Sequence, residues 1–440
     1  MTDHDQTVRN WVEDELGPVV TLRRQPRWRP VWFATVEGLG EVVVRGDRTD
    51  MELIFPLDHE MRFQQIAHAH GIPVPAVHGW IDDIPAYVMD VVPGAPYLLG
   101  AGERVRATVM REYMTALADL HRLPVDPFVE AGIVRAESPA ESGTIGMARY
   151  EERYRRAKRF PDPLLEFGLA WLRRNPPESR GREAPITWDS GQFHHADGHL
   201  VALLDLELGH IGDPMMDLAA FRMRDTIGGF GDFDELYGWY ESASGTTIDV
   251  EAIQRHHVAF TLSNRLAFSS ELCDPSPGSD LMTNLQWCRE TDLFTTEALA
   301  EIIGIDLPEI DLPASQPTRA RPAQEQLTQI LRSLTVDDEY QAYEVRKAFR
   351  LSRHIQRSDE IAAELEHQNL NDLAWLLGTR PTDWRAGDAA LERFVLQDHG
   401  AHDEYLVELF HKRGLRAQAL LGPDGSAMAT HNQIQPLPQP

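Results

Sequence analysis

The stretch TWDSGQFHHADGHLVALLDLELGHIGDPMMDLA, residues 187–219, decides how the rest of the chain is read. Inside it, QFHH and HLVALLD flank the turn ADG. Short β-favouring runs on either side of an Asp-Gly pair predict a hairpin, because glycine accepts the positive φ of a tight turn. Asp189 stands just before this hairpin and Asp205, sixteen positions later, ends its second strand, so the two carboxylates lie at the two ends of the hairpin. Asp213-Pro214 then opens MMDLAAFRMRD, with aspartate at an N-cap and proline at the first helical position, which predicts a helix start.

Upstream, VVTLRR, PVWFATV and EVVVRG between Pro18 and Arg48 read as an antiparallel meander with EGLG as a hairpin turn. Leu57 to His70 has the polarity of one helix, closed by Gly71 and the Pro73 and Pro75 pair, and VPAVHGWI and AYVMDVV read as two further strands. From Arg104 to Leu123, Val105, Val109, Tyr113, Leu117 and Leu120 recur at three-to-four spacing, an amphipathic helix with one buried stripe. Helices dominate from there. The proline-rich run Asp306 to Gln324 lacks periodicity and predicts a boundary, after which Gln326 to Leu421 shows the patterning of a helical bundle. The expected layout is a sheet lobe over residues 1–92, a mainly helical lobe over 93–305, a helical extension over 323–421 and a mobile tail over 422–440, too poor in apolar residues to fold.

Bulk properties narrow the function classes. A net charge of -27 repels a phosphate backbone, which argues against nucleic acid as a partner. No run approaches the roughly 18 apolar residues of a bilayer span, and the acidic start MTDHDQTVRNWVEDELG is unlike a signal peptide, so no membrane association and a cytoplasmic location are expected. Cys273 and Cys288 are too few for a disulfide framework or a cysteine-built zinc site. Lysine is confined to Lys158, Lys347 and Lys412, whereas arginine is abundant.

Phosphoryl transfer requires a cation to pair with phosphates, a carboxylate beside the acceptor hydroxyl and oxygen ligands for magnesium. The chain supplies candidates for each, and LLDLELGHIGDPMMDLA resembles the hydrophobic strand, aspartate and GDPxxDLA segment of the aminoglycoside-phosphotransferase-like superfamily. VVVRGD, HEMRF, IPVPAVHGW, YVMDVVPG and LADLHRL are similar to further segments in that family's order over roughly residues 20–300, and the nearest resemblance is to the branch linked with acyl-CoA dehydrogenases. The resemblance implies an α+β, bilobal protein-kinase-like fold with a small β-sheet N-lobe and a mainly helical C-lobe, here followed by an all-helical extension. It implies that Asp189 orients or deprotonates the acceptor hydroxyl and that Asp205 holds Mg2+ on the phosphates of ATP or GTP. It further implies that Glu60 pairs with Arg45, that the backbone from Val88 to Val91, including Met89 and Val91, takes the base, and that Asp217 ties the loop to its helix. Three positions depart from the pattern: Arg45 stands where the family has lysine, Thr187-Trp188 replace a histidine ahead of Asp189, and the loop is short, with Gln192 three and His194 five residues past Asp189. Gln192 is then the substitute metal ligand, since a hard cation prefers oxygen to imidazole.

The implied activity is a phosphotransferase acting on an alcohol group of a small molecule, with a hydroxyacyl or other lipid-derived acceptor suggested by the resembled branch. The alternative is a catalytically impaired kinase-like binding or scaffold protein, with the helical extension as its interaction surface and a route to homo-oligomers. His194, His195 and His199 invite a transition-metal reading, but they alternate faces of a short hairpin and lack a fourth ligand. Trp239, Tyr240, Trp287 and Phe294 fall where the superfamily builds its acceptor pocket, and core packing accounts for most of them equally well.

Overall fold

The computed structural model describes residues 3–25, 29–48, 52–177, 180–316, 318–423 and 425–437. Strands β1 (Val19–Gln25), β2 (Val31–Val36), β3 (Gly40–Gly46), β4 (Val77–Ile81) and β5 (Ala86–Asp90) pair antiparallel in the order β1-β2-β3-β5-β4. The two-residue period of a strand gives this sheet two different faces. Trp32, Ala34, Val42, Val44 and Val88 pack into one apolar cluster with Val8 and Val12 of helix α1 (Asp3–Glu15). Val31, Phe33, Val43, Arg45, Tyr87 and Met89 line a cleft instead. The register confirms the sorting, because Arg45 lies opposite Val31 and Tyr87, and Val43 opposite Phe33 and Met89. The polar N-terminus carries a weak helix signal, with Val8 and Val12 its buried residues and Trp11 packed beside them. The helix is nevertheless seated on the sheet, with Trp32 Nε1 donating to Asp5 at 2.8 Å.

Helix α2 (Leu57–Ala69) presents Glu60 and Gln64 toward Tyr87 of β5. Beyond the sheet come α3 (Glu103–His121), α4 (Asp126–Glu130), α5 (Ile145–Ala157), α6 (Pro163–Arg174) and β6 (Ala184–Ile186). The predicted hairpin is β7 (Phe193–Ala196) with β8 (His199–Leu203), turned by Asp197 and Gly198, both at positive φ. Asp205 lies two residues beyond β8 rather than at its end. Strand β9 (His210–Gly212) pairs with β6, and α7 (Pro214–Gly228) starts as predicted, Asp213 accepting from the Met215 N–H at 2.9 Å. Such a cap contributes about 1 kcal/mol. Met110, Tyr113 and Leu117 of α3, Met215 and Phe221 of α7 and Leu236 of α8 (Phe233–Ser244) share one core. Gly94, at φ +100, lets the chain after β5 pass close to β7: a Cβ there would lie 2.2 Å from the His195 carbonyl, and Ala95 and His195 exchange backbone bonds at 3.0 Å.

Contacts divide the chain into two units, one of Met1–Arg149, Pro177–His256 and Gln435–Pro440, the other of Tyr150–Pro176 and His257–Ile434. Helix α9 (Val250–Cys273) runs through both segments of sequence. In the second unit, Phe167 and Trp171 of α6 and Leu299 of α10 (Leu281–Ile303) pack with Leu391 of α13 (Trp384–Asp398) and Val407 and Phe410 of α14 (Asp403–Gln418). The helices α11 (Arg321–Ser333) and α12 (Glu339–Leu377) belong to the same unit, so the breaker-rich run 306–324 lies inside it. Within the expected tail, Gln435 Nε2 donates to Asp225 at 2.6 Å and the Ile434 N–H donates to Glu297 at 3.0 Å, polar bonds that apolar content does not reveal. No helix among the described residues is long and apolar enough to cross a membrane. A small antiparallel sheet followed by a largely helical remainder is the expected α+β architecture.

Candidate active site

A cleft of about 400 Å³ opens between the inner face of the sheet and the 189–205 segment. Two hydrogen-bonded systems line it. The first is centred on the carboxylate of Glu60, which α2 holds almost fully buried. Arg45 Nε lies 2.9 Å from Glu60, and Arg45 Nη2 donates to Asp205 at 2.6 Å and approaches Glu207 at 3.4 Å. Arg29 bridges Glu60 at 3.5 Å and Glu207 at closer range, and the Tyr87 hydroxyl donates to Glu60 at 3.2 Å. Arg45 and Glu60 are therefore a buried pair joined to Asp205, not a surface pair.

The second system holds the loop. Asp217, fully buried at the start of α7, accepts from the N–H of Thr187 at 3.0 Å, the hydroxyl of Thr187 at 3.1 Å and the N–H of Trp188 at 2.6 Å. His121 of α3 lies 2.9 Å from the same carboxylate, which is the loop-tying role expected for Asp217. These bonds keep Trp188 at φ +54, and Asp205 likewise sits at φ +59; neither is glycine, so each stores about 1–3 kcal/mol of backbone strain. Of the two, Asp205 lines the cleft.

Asp189 emerges from this loop into the hands of an arginine. Arg224 of α7 donates from Nε at 2.9 Å and from Nη2 at 2.7 Å to one oxygen, and from Nη2 at 2.5 Å to the other. Gln192 Nε2 adds a bond at 2.9 Å. Burial raises the Asp189 carboxyl above its ordinary value against the opposing pull of Arg224. For Asp205 the balance is reversed: burial would raise it, but Arg45, then Arg29 and Arg224, hold it below the usual range. Glu207 is pushed up to about 7 by burial and by the neighbouring charge of Asp205. The two neighbouring carboxyls are thus pushed in opposite directions, Asp205 down and Glu207 up.

The segment after β5 leaves one residue with its backbone groups unbonded. The N–H of Asp90 is taken by Ala76 and the carbonyl of Val92 by His194, but among the described residues Val91, between them, has neither backbone group bonded. Met89 and Val91 both line the cleft. His194, His195 and His199 go separate ways, to Val92, Tyr97 and Glu112, and among the described residues no group of three His, Cys, Asp or Glu is arranged to hold a metal. Trp239 and Tyr240 pack in the core of α3 and α8, Tyr240 hydrogen-bonding His121 at 2.8 Å. Sequence reading did not single out Arg29, Glu207 or Arg224. Glu207 follows Asp205 in DLE and was findable by that spacing, whereas nothing local marks one arginine among many.

Residues 24–238 match the phosphotransferase enzyme family. The acyl-CoA dehydrogenase family member 11 of Homo sapiens is 25% identical over 186 residues, which cover 38% of this chain and 23% of that protein. The Rattus norvegicus protein of the same name is 26% identical over 176 residues, covering 37% and 22%. The match thus spans less than a quarter of the length of these curated relatives. A crystal structure from Ralstonia eutropha JMP134 assigned as an aminoglycoside phosphotransferase superposes with a TM-score of 0.50 at 15% identity, covering 65% of this chain and 94% of that one, a likeness of fold. Residues 24–238 therefore match the phosphotransferase enzyme family, on a fold similar to that of the Ralstonia eutropha structure.

Proposed function

We propose that the chain transfers the terminal phosphoryl group of ATP or GTP to a hydroxyl of a small molecule, with a hydroxyacyl or other lipid-derived acceptor as the class suggested by its relatives. The observation that carries this reading is a cleft of about 400 Å³ lined by Asp205, Gln192, Arg224 and Val91, with Asp189 hydrogen-bonded to Arg224 and Gln192 of that lining. The acceptor oxygen bonds to phosphorus as the bond from phosphorus to the β–γ bridging oxygen breaks, and the hydroxyl proton passes to Asp189. Val91 offers a donor and an acceptor to the base, and Arg45, fixed by Glu60, places positive charge beside the phosphates.

The donor set fits magnesium. Asp205, Glu207 and the carboxamide oxygen of Gln192 are all hard oxygen ligands, and magnesium is usually bound by one or two carboxylates together with substrate phosphates. When bound it supplies charge neutralisation on those phosphates. Asp205 is poised to serve because its carboxyl stays ionised. The helical unit that contains residues 323–421 is assigned no chemistry in this scheme.

A second reading is favoured by one observation: Arg224 occupies both oxygens of Asp189, as a site without turnover would allow. Release of nucleoside diphosphate, followed over a panel of hydroxylated acceptors with each nucleotide, separates the two. The transferase reading expects acceptor-dependent release that Asp189→Asn abolishes while nucleotide affinity is retained. Undiminished turnover in that variant removes Asp189 as the base, and nucleotide binding without turnover for any acceptor favours the binding protein.

A further inference from the structure

Three guanidinium groups serve the cleft, and they are not equivalent. Arg29 and Arg45 are each shared among buried carboxylates, Arg29 between Glu60 and Glu207, Arg45 between Glu60 and Asp205. Neither leaves without stranding charge in a dry environment. Arg224 is bonded to Asp189, on a side chain that is about one-quarter exposed (26%) and lines the cleft. Beside it, Tyr97 and Ile227 are 52% and 44% exposed, and Gly228 and Phe230 complete the wall.

This arrangement conflicts with the role of Asp189. A carboxylate whose two oxygens are engaged by a guanidinium is oriented toward that arginine rather than toward an acceptor hydroxyl. A neutral alcohol cannot take the place of Asp189 on Arg224, because it leaves the guanidinium without a counter-charge as the cleft fills and water departs. An anion can. We propose that Arg224 is a latch on Asp189, released when an anionic oxygen entering the cleft takes over its guanidinium. Asp189 is then free to accept the hydroxyl proton, and Arg224 neutralises the newcomer. The inference rests on the phosphotransfer reading and adds a condition to it: chemistry begins only when the site holds a second anion. That anion has two sources of the same chemistry, the terminal phosphate of the nucleotide or an acidic group carried by the acceptor.

The two sources are separated by titrating the full chain, wild type, Arg224→Gln and Arg224→Lys, with Mg·ADP, with Mg·AMP-PNP, and with short straight-chain carboxylates added to the Mg·AMP-PNP complex. If the nucleotide releases the latch, Arg224→Gln weakens AMP-PNP by about tenfold or more and leaves ADP within about twofold, the loss of one charge-assisted hydrogen-bonded pair. If the acceptor does, both nucleotides bind as in wild type and the carboxylates lose their affinity instead. Arg224→Lys, which keeps the charge without the fork, falls between in either case and guards against failure of the glutamine variant to fold. Equal affinities for all three probes in wild type and Arg224→Gln overturn the latch. So does an equal loss for all of them, which marks damage to the whole cleft. A wild-type chain that binds neither nucleotide refutes the phosphotransfer reading itself, and the latch falls with it; wild-type binding of nucleotides and carboxylates that Arg224→Gln leaves unchanged throughout refutes the latch alone.

Discussion

Replacing Arg45 by methionine tests the charge system under the sheet, because it removes the guanidinium while keeping much of its volume. Arg45 lies 2.9 Å from Glu60 and 2.6 Å from Asp205, so the variant leaves two carboxylates without their shared cation. Removing one partner of a buried pair costs about 3–5 kcal/mol. Here solvent screens part of the effect, since the side chains of Arg45 and Asp205 are 17% and 24% exposed. Arg29 also still contacts Glu60 and Glu207. The expected loss is therefore about 2–3 kcal/mol, read from urea unfolding at pH 8. The sign with pH follows from Asp205, whose carboxyl is held below its ordinary value. Its contribution is present above the unfolded pKa and lost as pH falls through the folded one. The gap between wild type and Arg45→Met should thus narrow as the carboxylates protonate. A loss below about 0.5 kcal/mol at pH 8, the range of ordinary surface substitutions, refutes the picture of Arg45 as the buried counter-ion.

Other perturbations reach the loop and its supports. Gly146→Ala would set a Cβ 2.3 Å from the Trp188 ring, so it should destabilise by about 1–3 kcal/mol in thermal unfolding; no loss would show that Trp188 is not wedged there. Asp217→Ala orphans the Thr187 and Trp188 amides, and hydrogen exchange at both should accelerate well beyond that of the β7–β8 hairpin; equal protection in the two proteins contradicts the assigned tie. His210 is fully buried, and burial lowers it to about 4, so the folded chain prefers it neutral. Stability from this group is present above pH 6.5 and is lost as pH falls toward 4. His210→Phe should remove about 3 kcal/mol of that acid-side slope, and an unchanged slope counts against it.

Much of the cleft was legible in the sequence because its geometry is periodic or local. Alternation along EVVVRG puts Val43 and Arg45 on the face opposite Val42 and Val44, and the ADG turn with Asp213-Pro214 sets the hairpin and the following helix. Helix α1 was harder to read, since two valines four residues apart are a thin signal in an acidic segment. The arginine partners were not legible at all. Arg224 meets Asp189 across 35 residues and Arg29 meets Glu207 across 178, contacts that only the folded chain defines. The same limit applies to α6, which shares its core with α13 and α14 far along the chain.

The central claim is that this cleft binds a nucleoside triphosphate through a metal held by Asp205. Thermal unfolding of wild type and Asp205→Ala, with ATP or GTP and with or without magnesium, tests it most directly. The account predicts a magnesium-dependent stabilisation of wild type, about 2.7 kcal/mol at a hundredfold excess over Kd, that disappears in Asp205→Ala. Failure of both nucleotides to stabilise wild type at any magnesium concentration, or equal stabilisation of the variant, would contradict it.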